Sequence, residues 1–233
     1  MYYFCSIERV QQTEPYSKIR NSLIINILKL ETKGKILQKS LELFNLYGSD
    51  NVTVRQIAKE LNMSHGNLCY HYASTDDIVQ ALYMLLVADL DALILRGKKA
   101  TDISLESVVL MTKMSFEKLY EYRFILLDFV HIMRRIPTIK AHYRQLTVMR
   151  QLQFQFIVSE LVRKGIFKQP IIENQYSHWI QSTIFFGDFW LSSAEILYQG
   201  KEQDKIATYH NFFIHLTIPY LTEQGLSEIK AFL

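Results

Sequence analysis

The feature that most limits the fold of this chain is the spacing of its helix-breaking residues. No proline occurs between Pro15 and Pro137, and the 233 residues include only 4 prolines and 8 glycines. Proline ends helices and glycine weakens them. A stretch this long without proline therefore favours helices over many short strands. The sequence therefore predicts an all-α fold.

Composition and charge narrow the class of protein. Hydrophobic residues make up 49% of the chain, which is typical of a globular protein with ample core, and the net charge of +3 is too small to indicate nucleic acid by itself. Cys5 and Cys69 lie in different segments, which argues against a disulfide framework and favours the reducing cytoplasm. No apolar run reaches the ~18 residues that a membrane-spanning helix needs, so we expect no membrane partner.

The first 32 residues lack the caps and the sustained period of the rest of the chain. Residues 1–17 show no clear period, whereas residues 19–30 carry apolar side chains at the spacing of a short helix. We expect 1–32 to be a mobile N-terminal extension, and the sequence leaves open whether it belongs to the native protein.

Helix caps follow one another closely after this extension. Gly48 is a helix stop, Thr53 and Gln56 form a T-x-x-Q capping box, Ser64 caps the next short helix, and a further capping pattern starts at Ser74. Four helices are thus predicted in about fifty residues, with a tight turn between the second and the third. This is the outline of a helix-turn-helix within a small bundle.

The stretch "MSHGNLCYHYASTDD" concentrates polar and aromatic groups, and a metal site is one interpretation of it. His65 and His71 are six residues apart, which puts them on different faces of a helix. Cys69 and His71 are too close to share a zinc ion on a helix, and neither H-E-x-x-H nor C-x-x-C occurs. We therefore expect no metal and no cofactor.

A second interpretation makes this stretch the DNA-reading helix of the helix-turn-helix. Its first turn would then meet the major groove, where His65, Gly66 and Asn67 allow close approach. Tyr70 and His71 can donate to phosphate oxygens. Leu68, on the opposite side, would anchor the helix in the bundle.

The segment "TVRQIAKELNMSHGNLCYHYASTDDI" resembles the DNA-binding signature of the tetracycline-repressor-like (TetR/AcrR) family of bacterial regulators. The similarity is specific from about Thr32 to Leu86, and beyond that it rests on length and helical layout. The residues that match the motif are Thr53, Ile57, Ala58, Ser64, Gly66, Leu68, His71 and Ser74, with Tyr72 as the aromatic. The DNA-binding residues that the motif and its place in a helix-turn-helix imply are Thr53, Val54, Arg55, Ser64, His65, Gly66, Asn67, Tyr70, His71 and Thr75.

Two positions depart from the family pattern. Cys69 stands where the family usually has a tyrosine that grips phosphate, and Thr75 stands where it usually has a lysine. Five basic and five acidic residues between Lys33 and Ile78 leave that segment with no net charge. We therefore expect weak electrostatic attraction to the DNA backbone. The alternative is a module that no longer binds DNA.

The chain after Gly97 is predicted to form four long helices, over 105–137, 138–165, 172–199 and 205–221. The resemblance implies that this part encloses a ligand cavity and forms a dimer. Candidate ligand-binding residues are Phe116, Tyr120, Asp128, His131 and Trp179. Candidate dimer-interface residues are Phe186, Gly187, Trp190 and Phe213.

Two features of the C-terminal part have several interpretations. Asp128 and His131 are three residues apart and share a helix face, so they form a structural pair, a cavity pair, an exposed ion pair or half of a metal site. Gly187 lies inside a predicted helix, where glycine costs ~1 kcal/mol relative to alanine, so it marks a close approach of helices.

The sequence thus predicts an N-terminal three-helix helix-turn-helix DNA-binding bundle (33–80) joined to a larger helical ligand-binding and dimerisation domain (81–233). We expect a cytoplasmic, homodimeric repressor that binds a near-palindromic double-stranded operator and responds to a small apolar or amphipathic effector, and we expect no enzyme activity. The alternatives are a helical enzyme that uses Asp128 and His131, and an interaction protein with a vestigial DNA-binding head.

Overall fold

The computed structural model of the protein describes residues 31–95 and 103–232, and the regular elements in these ranges are helical. The predicted all-α class is confirmed. The expected extension lies outside the described residues except for Glu31 and Thr32, which begin the first helix. The α-helices in chain order are α1 (Glu31–Tyr47), α2 (Val54–Glu60), α3 (His65–His71), α4 (Thr75–Leu95), α5 (Leu105–Glu121), α6 (Arg123–Leu127), α7 (Phe129–Arg135), α8 (Pro137–Arg163), α9 (Gln175–Leu197), α10 (Lys205–His215) and α11 (Glu223–Ile229).

Tertiary contacts divide the chain into two compact units. Unit 1 extends to Asp89 and also takes in Tyr122–Tyr143, whereas unit 2 comprises Leu90–Glu121 and Arg144–Leu233. The first unit therefore includes α6, α7 and the start of α8 in addition to the helices around the predicted helix-turn-helix. The boundary expected near residue 80 groups the chain differently, and the division into a DNA-binding domain (33–80) and a ligand-binding and dimerisation domain (81–233) stays a prediction.

Unit 1 is built around apolar side chains that its helices bury together. Phe44 of α1, Leu68 of α3, Ile78 of α4 and Phe124 of α6 are all at most 1% exposed. The rings of Phe44 and Phe124 lie 5.2 Å apart. Burial of one such side chain stabilises the fold by ~1.5–3 kcal/mol, so even the seven-residue α3 is firmly anchored through Leu68.

The single helix predicted over 105–137 is wrong, because the chain breaks it into α5, α6 and α7. The breaks fall at Tyr122 and Asp128, whose backbone angles are φ −102°, ψ 33° and φ −97°, ψ 17°. The Phe124 N–H, in the first turn of α6, donates to Asn45 Oδ1 at 3.1 Å. Asp128 Oδ2 accepts a bond from the Ser49 N–H at 3.4 Å. Bonds to distant parts of the chain thus accompany both breaks.

Unit 2 has a separate apolar core formed by α5, α8, α9, α10 and α11. Leu161, Ile180 and Leu221 are at most 1% exposed within it. Helix α8 ends at Arg163, and Gly165 follows with φ +72°, a left-handed conformation that glycine adopts without strain. Phe167 and Leu221 then form an isolated antiparallel bridge.

The two long helices predicted near the C-terminus have different outcomes. Helix α9 spans most of the predicted 172–199, whereas α10 ends at His215 rather than continuing to Leu221. Residues Ile218–Tyr220 form a 3₁₀ turn that contains Pro219, which cannot continue an α-helix. Helix α11 was not predicted, and its cap is Thr222, whose hydroxyl accepts a bond from the Gly225 N–H at 3.2 Å.

Candidate nucleic-acid interface and internal cavity

Helix α2 begins with both hydrogen bonds of the predicted capping box. The Thr53 N–H donates to Gln56 Oε1 at 2.7 Å, and the Gln56 N–H donates to Thr53 Oγ1 at 3.3 Å. These bonds satisfy amides that a helix start leaves without intrahelical partners. Ile57 and Ala58 then bury the inner face of the helix. The capping box is confirmed.

The turn between α2 and α3 depends on an asparagine in a left-handed conformation. Asn62 has φ 53°, and its N–H donates to Lys59 O at 3.1 Å. The Met63 N–H donates to Ala58 O at 3.0 Å, which closes the end of α2. Asparagine tolerates this backbone region better than most residues, so Asn62 is a sequence signal for the turn that the capping pattern alone misses.

Helix α3 presents a polar face and hides an apolar one. Its predicted cap is confirmed, because Ser64 Oγ accepts a bond from the Asn67 N–H at 3.1 Å. Leu68 is fully buried, whereas Tyr70 is 85% exposed. His65, Gly66 and Asn67, in the first turn, are exposed as well. The first turn and one side of α3 are therefore available to a partner.

Gly66 leaves open space on this exposed face. A Cβ atom added at Gly66 would meet nothing within 4 Å. Glycine inside a helix costs ~1 kcal/mol relative to alanine. The packing of the described chain does not require a glycine at this position, because a larger side chain would fit there. The missing side chain therefore suits close approach of an external partner.

Unit 2 contains a small cavity between α5, α8, α9 and the C-terminal helices. It encloses about 70 Å³, whereas pockets for drug-sized ligands are typically ~300–1,000 Å³. Apolar side chains line it, together with three threonines and Trp179. The Trp179 indole N–H donates to Leu216 O at 3.0 Å. Each threonine hydroxyl donates to a carbonyl of the preceding turn: Thr112 to Val109, Thr183 to Ile180 and Thr217 to Ile214.

Two family models match the chain, and together they cover both units. The model described as "Bacterial regulatory proteins, tetR family" matches residues 36–82, which include α2 and α3. The model described as "TetR: Bacterial transcriptional repressor" matches residues 89–229. This chain belongs to the tetR family.

Individual relatives agree with this assignment. A probable HTH-type transcriptional regulator, YttP, from Bacillus subtilis (strain 168) is 24% identical over 206 residues, 88% of this chain and 94% of the relative. A TetR-family transcriptional regulator from Marinobacter aquaeolei VT8 is 26% identical, with a TM-score of 0.78 over 87% of this chain and 97% of that one. The ketosteroid regulator KstR2 of Mycobacterium tuberculosis shares the fold, with 20% identity and a TM-score of 0.56 over 82% and 95% of the two chains.

As a tetR-family protein, the chain is a DNA-binding transcriptional regulator, and α2 and α3 are its helix-turn-helix. The roles of single residues on this surface stay predictions. The half-buried members of the predicted set are Val54, His71 and Thr75. The exposed members are Thr53, Arg55, Ser64, His65, Gly66, Asn67 and Tyr70.

The two departures from the family pattern have partners within unit 1. The Thr75 hydroxyl donates to Val52 O at 3.4 Å, so it ties the start of α4 to the segment that precedes the cap of α2. Cys69 Sγ lies 3.4 Å from His65 Nε2, one turn back on α3. Among the residues that the structure describes, no group of three or more His, Cys, Asp and Glu side chains is placed to hold a metal ion.

Asp128 and His131 lie in unit 1 and do not line the cavity of unit 2. Asp128 accepts its bond from Ser49, and His131 Nε2 lies 2.8 Å from Asp50 Oδ2. Both side chains therefore contact the turn that precedes α2, which makes them parts of unit 1. Asp128 lies at the break between α6 and α7 and His131 lies within α7, and spacing in the sequence does not give the segment that they face.

Of the other predicted ligand-binding residues, Trp179 lines the cavity and Phe116 and Tyr120 do not. The Tyr120 hydroxyl donates to Glu202. Phe116 is 3% exposed and stacks on Trp190 with ring centroids 5.0 Å apart. Their part in ligand binding stays a prediction.

The predicted dimer-interface residues mostly belong to this aromatic cluster inside unit 2. Phe186 and Phe213 also contact Phe116, at centroid distances of 6.3 and 5.4 Å. Trp190 is 2% exposed in the single chain, so it offers little surface to a second copy, and its place in the interface stays a prediction. A Cβ atom at Gly187 would meet nothing within 4 Å. No other described segment therefore packs closely against α9 at Gly187.

Unit 1 gains basic residues from a distant part of the sequence. The segment Tyr122–Tyr143 contains four basic residues, Arg123, Arg134, Arg135 and Lys140, and a single carboxylate, Asp128. The net charge of zero between Lys33 and Ile78 therefore understates the charge of the unit that carries the helix-turn-helix.

None of the helices in the described ranges is long and apolar enough to cross a membrane.

Proposed function

We propose that this regulator is a homodimeric repressor that binds a near-palindromic operator through α3 and releases it when a small apolar molecule enters unit 2. The observation that carries the proposal is the exposed first turn of α3, with open space at Gly66, on a helix fixed by Ser64 and Leu68. Its role requires access to the chromosome, so we expect the protein in the cytoplasm. We also expect it to act by binding and to catalyse no reaction.

Operator contacts are assigned to the exposed polar residues of α3. His65 and Asn67 occupy the first turn, which reaches base edges when such a helix lies in the major groove. Tyr70 presents a hydroxyl that can donate to phosphate. Arg55 and Lys59 on α2 are exposed and provide positive charge next to this face.

The homodimer is supported by exposed aromatic and aliphatic side chains on α9 and α10. Phe185, Phe189 and Ile196 follow helical spacing along one face of α9 and are 56%, 44% and 81% exposed. Phe212 of α10 is 54% exposed. Large apolar side chains exposed along one helix face are typical of a protein interface, and a two-fold pair of such faces could form a four-helix contact. The proposed interface rests on these exposed residues more than on Trp190.

The effector class follows from the hydrogen bonds around the cavity. The threonine hydroxyls and the Trp179 N–H that line it all donate to backbone carbonyls. An occupant would find apolar walls and no free donor among these four side chains, which favours an apolar molecule. A volume of about 70 Å³ is less than half of the ~150 Å³ of a cavity that binds benzene, so we expect the walls to move apart when a molecule of that size enters.

Selection from a randomised 30-base-pair duplex library tests the operator. The wild-type protein should enrich duplexes with two inverted half-sites, because a two-fold dimer presents two identical heads. A gel-shift titration of an enriched duplex against a scrambled one then measures specificity. The absence of any enriched sequence would contradict the proposal.

The interface is tested by light scattering at micromolar concentration. Phe189→Asp should convert the dimer to a monomer, because it puts a charge into the proposed apolar contact. Ile171→Asp is the matched control, since Ile171 is 86% exposed and lies outside α9. A wild-type protein that is monomeric, or a Phe189→Asp protein that stays dimeric, would contradict this interface.

Benzene and indole are suitable probes of the cavity. Each should raise the melting temperature of the wild type and weaken its binding to the enriched duplex. Val109→Phe should abolish both effects by filling the space that the probes require, because Val109 lines the cavity. Equal effects on the variant and the wild type would place the probes elsewhere. A reporter gene behind the enriched duplex decides between repression and activation.

A further inference from the structure

One guanidinium joins the two turns that flank the helix-turn-helix. Asp50 lies in the turn before α2, and Asp76 lies in the first turn of α4, directly after α3. Arg135, the last residue of α7, forms an ion pair with Asp50 through Nη1, and its Nε lies 3.0 Å from Asp76 Oδ1. Its Nη2 donates to Ser49 Oγ at 3.2 Å. A single side chain far along the sequence therefore connects the chain entering α2 with the chain leaving α3.

We propose that Arg135 is a positioning residue for operator binding: it holds these two turns together and so sets the orientation of α3 in unit 1. The inference rests on the proposed DNA-reading role of α3. The guanidinium spreads its charge over three nitrogens, so it can face two carboxylates at once, whereas an ammonium group acts as a point charge. Its contact with Asp76 is an ion pair only, because Nε makes no hydrogen bond among the described residues. The bridge fixes a distance that the short turns themselves leave adjustable.

The surroundings of Arg135 keep the side chain in place. The helix that carries it is attached to the same turn by two more contacts, from Asp128 to the Ser49 N–H and from His131 to Asp50. One turn after α7, Thr138 Oγ1 donates to Gln80 Oε1 of α4 at 2.9 Å. Both sides of the bridge are thus backed by independent contacts within unit 1.

Charge gives the bridge a second effect on DNA binding. The side chains of Asp50 and Asp76 are 48% and 45% exposed, so both carboxylates would repel phosphate if Arg135 were absent. Burial and then Asp77 raise the pKa of Asp76, while His131 lowers it. Ion pairs whose carboxylates are half-exposed contribute little to stability, so we expect the loss of Arg135 to show in DNA binding and less in the unfolding of the protein.

The central test compares two neighbouring arginines in the full chain. Arg135→Gln should weaken binding to a duplex enriched by the wild type by about tenfold, within the range that coupled polar networks produce. Arg134→Gln removes the same charge from the adjacent residue, which is exposed, and should change the affinity by less than about twofold. In Arg135→Gln the affinity for a scrambled duplex of equal length should fall less than the affinity for the enriched duplex, because nonspecific binding depends on charge and not on the orientation of α3.

Two further measurements separate positioning from a general structural effect. Arg135→Lys should restore part of the lost affinity, since lysine reaches one carboxylate at a time. Asp76→Asn should weaken binding less when Arg135→Gln is already present, as residues of one network are not additive. Hydrogen exchange of Arg135→Gln should be faster in residues 48–53 and 73–77, with an unchanged rate in the core of unit 2.

The outcomes distinguish this inference from the proposed function. An enriched duplex that Arg135→Gln binds as tightly as the wild type would overturn the positioning role and leave operator binding intact. Equal losses in the Arg134 and Arg135 variants would assign the effect to charge alone and also overturn it. If the wild type enriches no duplex, both proposals fail, and unchanged exchange in residues 48–53 and 73–77 would overturn the bridge independently of DNA.

Discussion

The two units of this regulator use polar groups in different ways. In unit 1 they cap short helices and join turns near the surface, as Thr53, Ser64 and Arg135 do. In unit 2 several are buried among apolar side chains: Arg150 is 9% exposed and His210 is 9% exposed. A polar substitution in unit 1 should therefore change a binding surface, whereas one in unit 2 should first change stability.

The buried ion pair of unit 2 gives the largest expected effect. Arg150 Nη2 lies 2.6 Å from Asp91 Oδ1, and both side chains are 11% exposed. Asp91→Asn should destabilise the fold by ~3–5 kcal/mol, because it leaves a buried guanidinium without its countercharge. Chemical denaturation measures this loss. The double variant Asp91→Asn, Arg150→Met should recover much of it, and a double variant as unstable as the single one would contradict the explanation.

Leu68→Ala tests the contrast within α3 itself. Leu68 is fully buried, so its truncation should cost ~2–5 kcal/mol and free α3 from the core. Tyr70→Ala, two residues on at a position 85% exposed, should change stability by less than ~0.5 kcal/mol. Comparison of their denaturation midpoints checks the result, and similar losses in both variants would show that α3 is not anchored on one side.

The acid sensitivity of unit 2 is expected to depend on His210. Burial lowers the pKa of His210 below its ordinary value of 6.5, and Lys113 lowers it further, while a bond to the Val109 backbone acts the other way. The unfolded chain therefore binds this proton more readily than the folded one, so stability should fall as the pH decreases below about 6.5. Denaturation midpoints between pH 7.5 and 5 should show this slope, and His210→Gln should reduce it. An identical slope in the variant would assign the sensitivity to other groups.

Local signals made unit 1 the more predictable of the two. The capping box at Thr53, the cap at Ser64, and the cap of α4 where the Ser74 N–H donates to Asp77 Oδ2 at 2.9 Å depend on residues three apart. Both partners of each cap are therefore visible in the sequence. The breaks at Tyr122 and Asp128 depend on Asn45 and Ser49, some eighty residues away. Helical periodicity continues across such breaks, which is why one long helix was expected there.

The same limit applies to the candidate sites. The exposed and buried faces of α3 follow from spacing, since Leu68 and Tyr70 point to opposite sides. The bridge of Arg135 to Asp50 and Asp76 spans three separate segments, and no spacing indicates it. The aromatic residues of α9 were assigned to an interface by resemblance, but which of them turn inward, as Trp190 does, is decided by packing against α5 and α10.

A small gain in stability is expected at Tyr72, the aromatic that ends α3. Its hydroxyl is buried without a hydrogen-bond partner among the described residues, and burial raises its pKa to about 12. An unsatisfied buried hydroxyl costs ~1–3 kcal/mol, so Tyr72→Phe should raise the midpoint of denaturation slightly. A loss of stability would mean that the hydroxyl has a partner, such as ordered water.

The central claim, that the exposed face of α3 reads the operator, is tested most directly by Gly66→Ala and Tyr70→Ala. Both changes fall where the fold leaves open space or solvent, so Tyr70→Ala should melt within about 2 °C of the wild type, and Gly66→Ala should melt about 2–4 °C higher because alanine favours the helix. Binding to an enriched duplex, measured by fluorescence anisotropy, should weaken by ~1–3 kcal/mol for Tyr70→Ala, and Gly66→Ala should lose affinity because its methyl group occupies the space for DNA. Wild-type affinity in both variants, with the fold intact, would contradict the assignment of α3 to the groove.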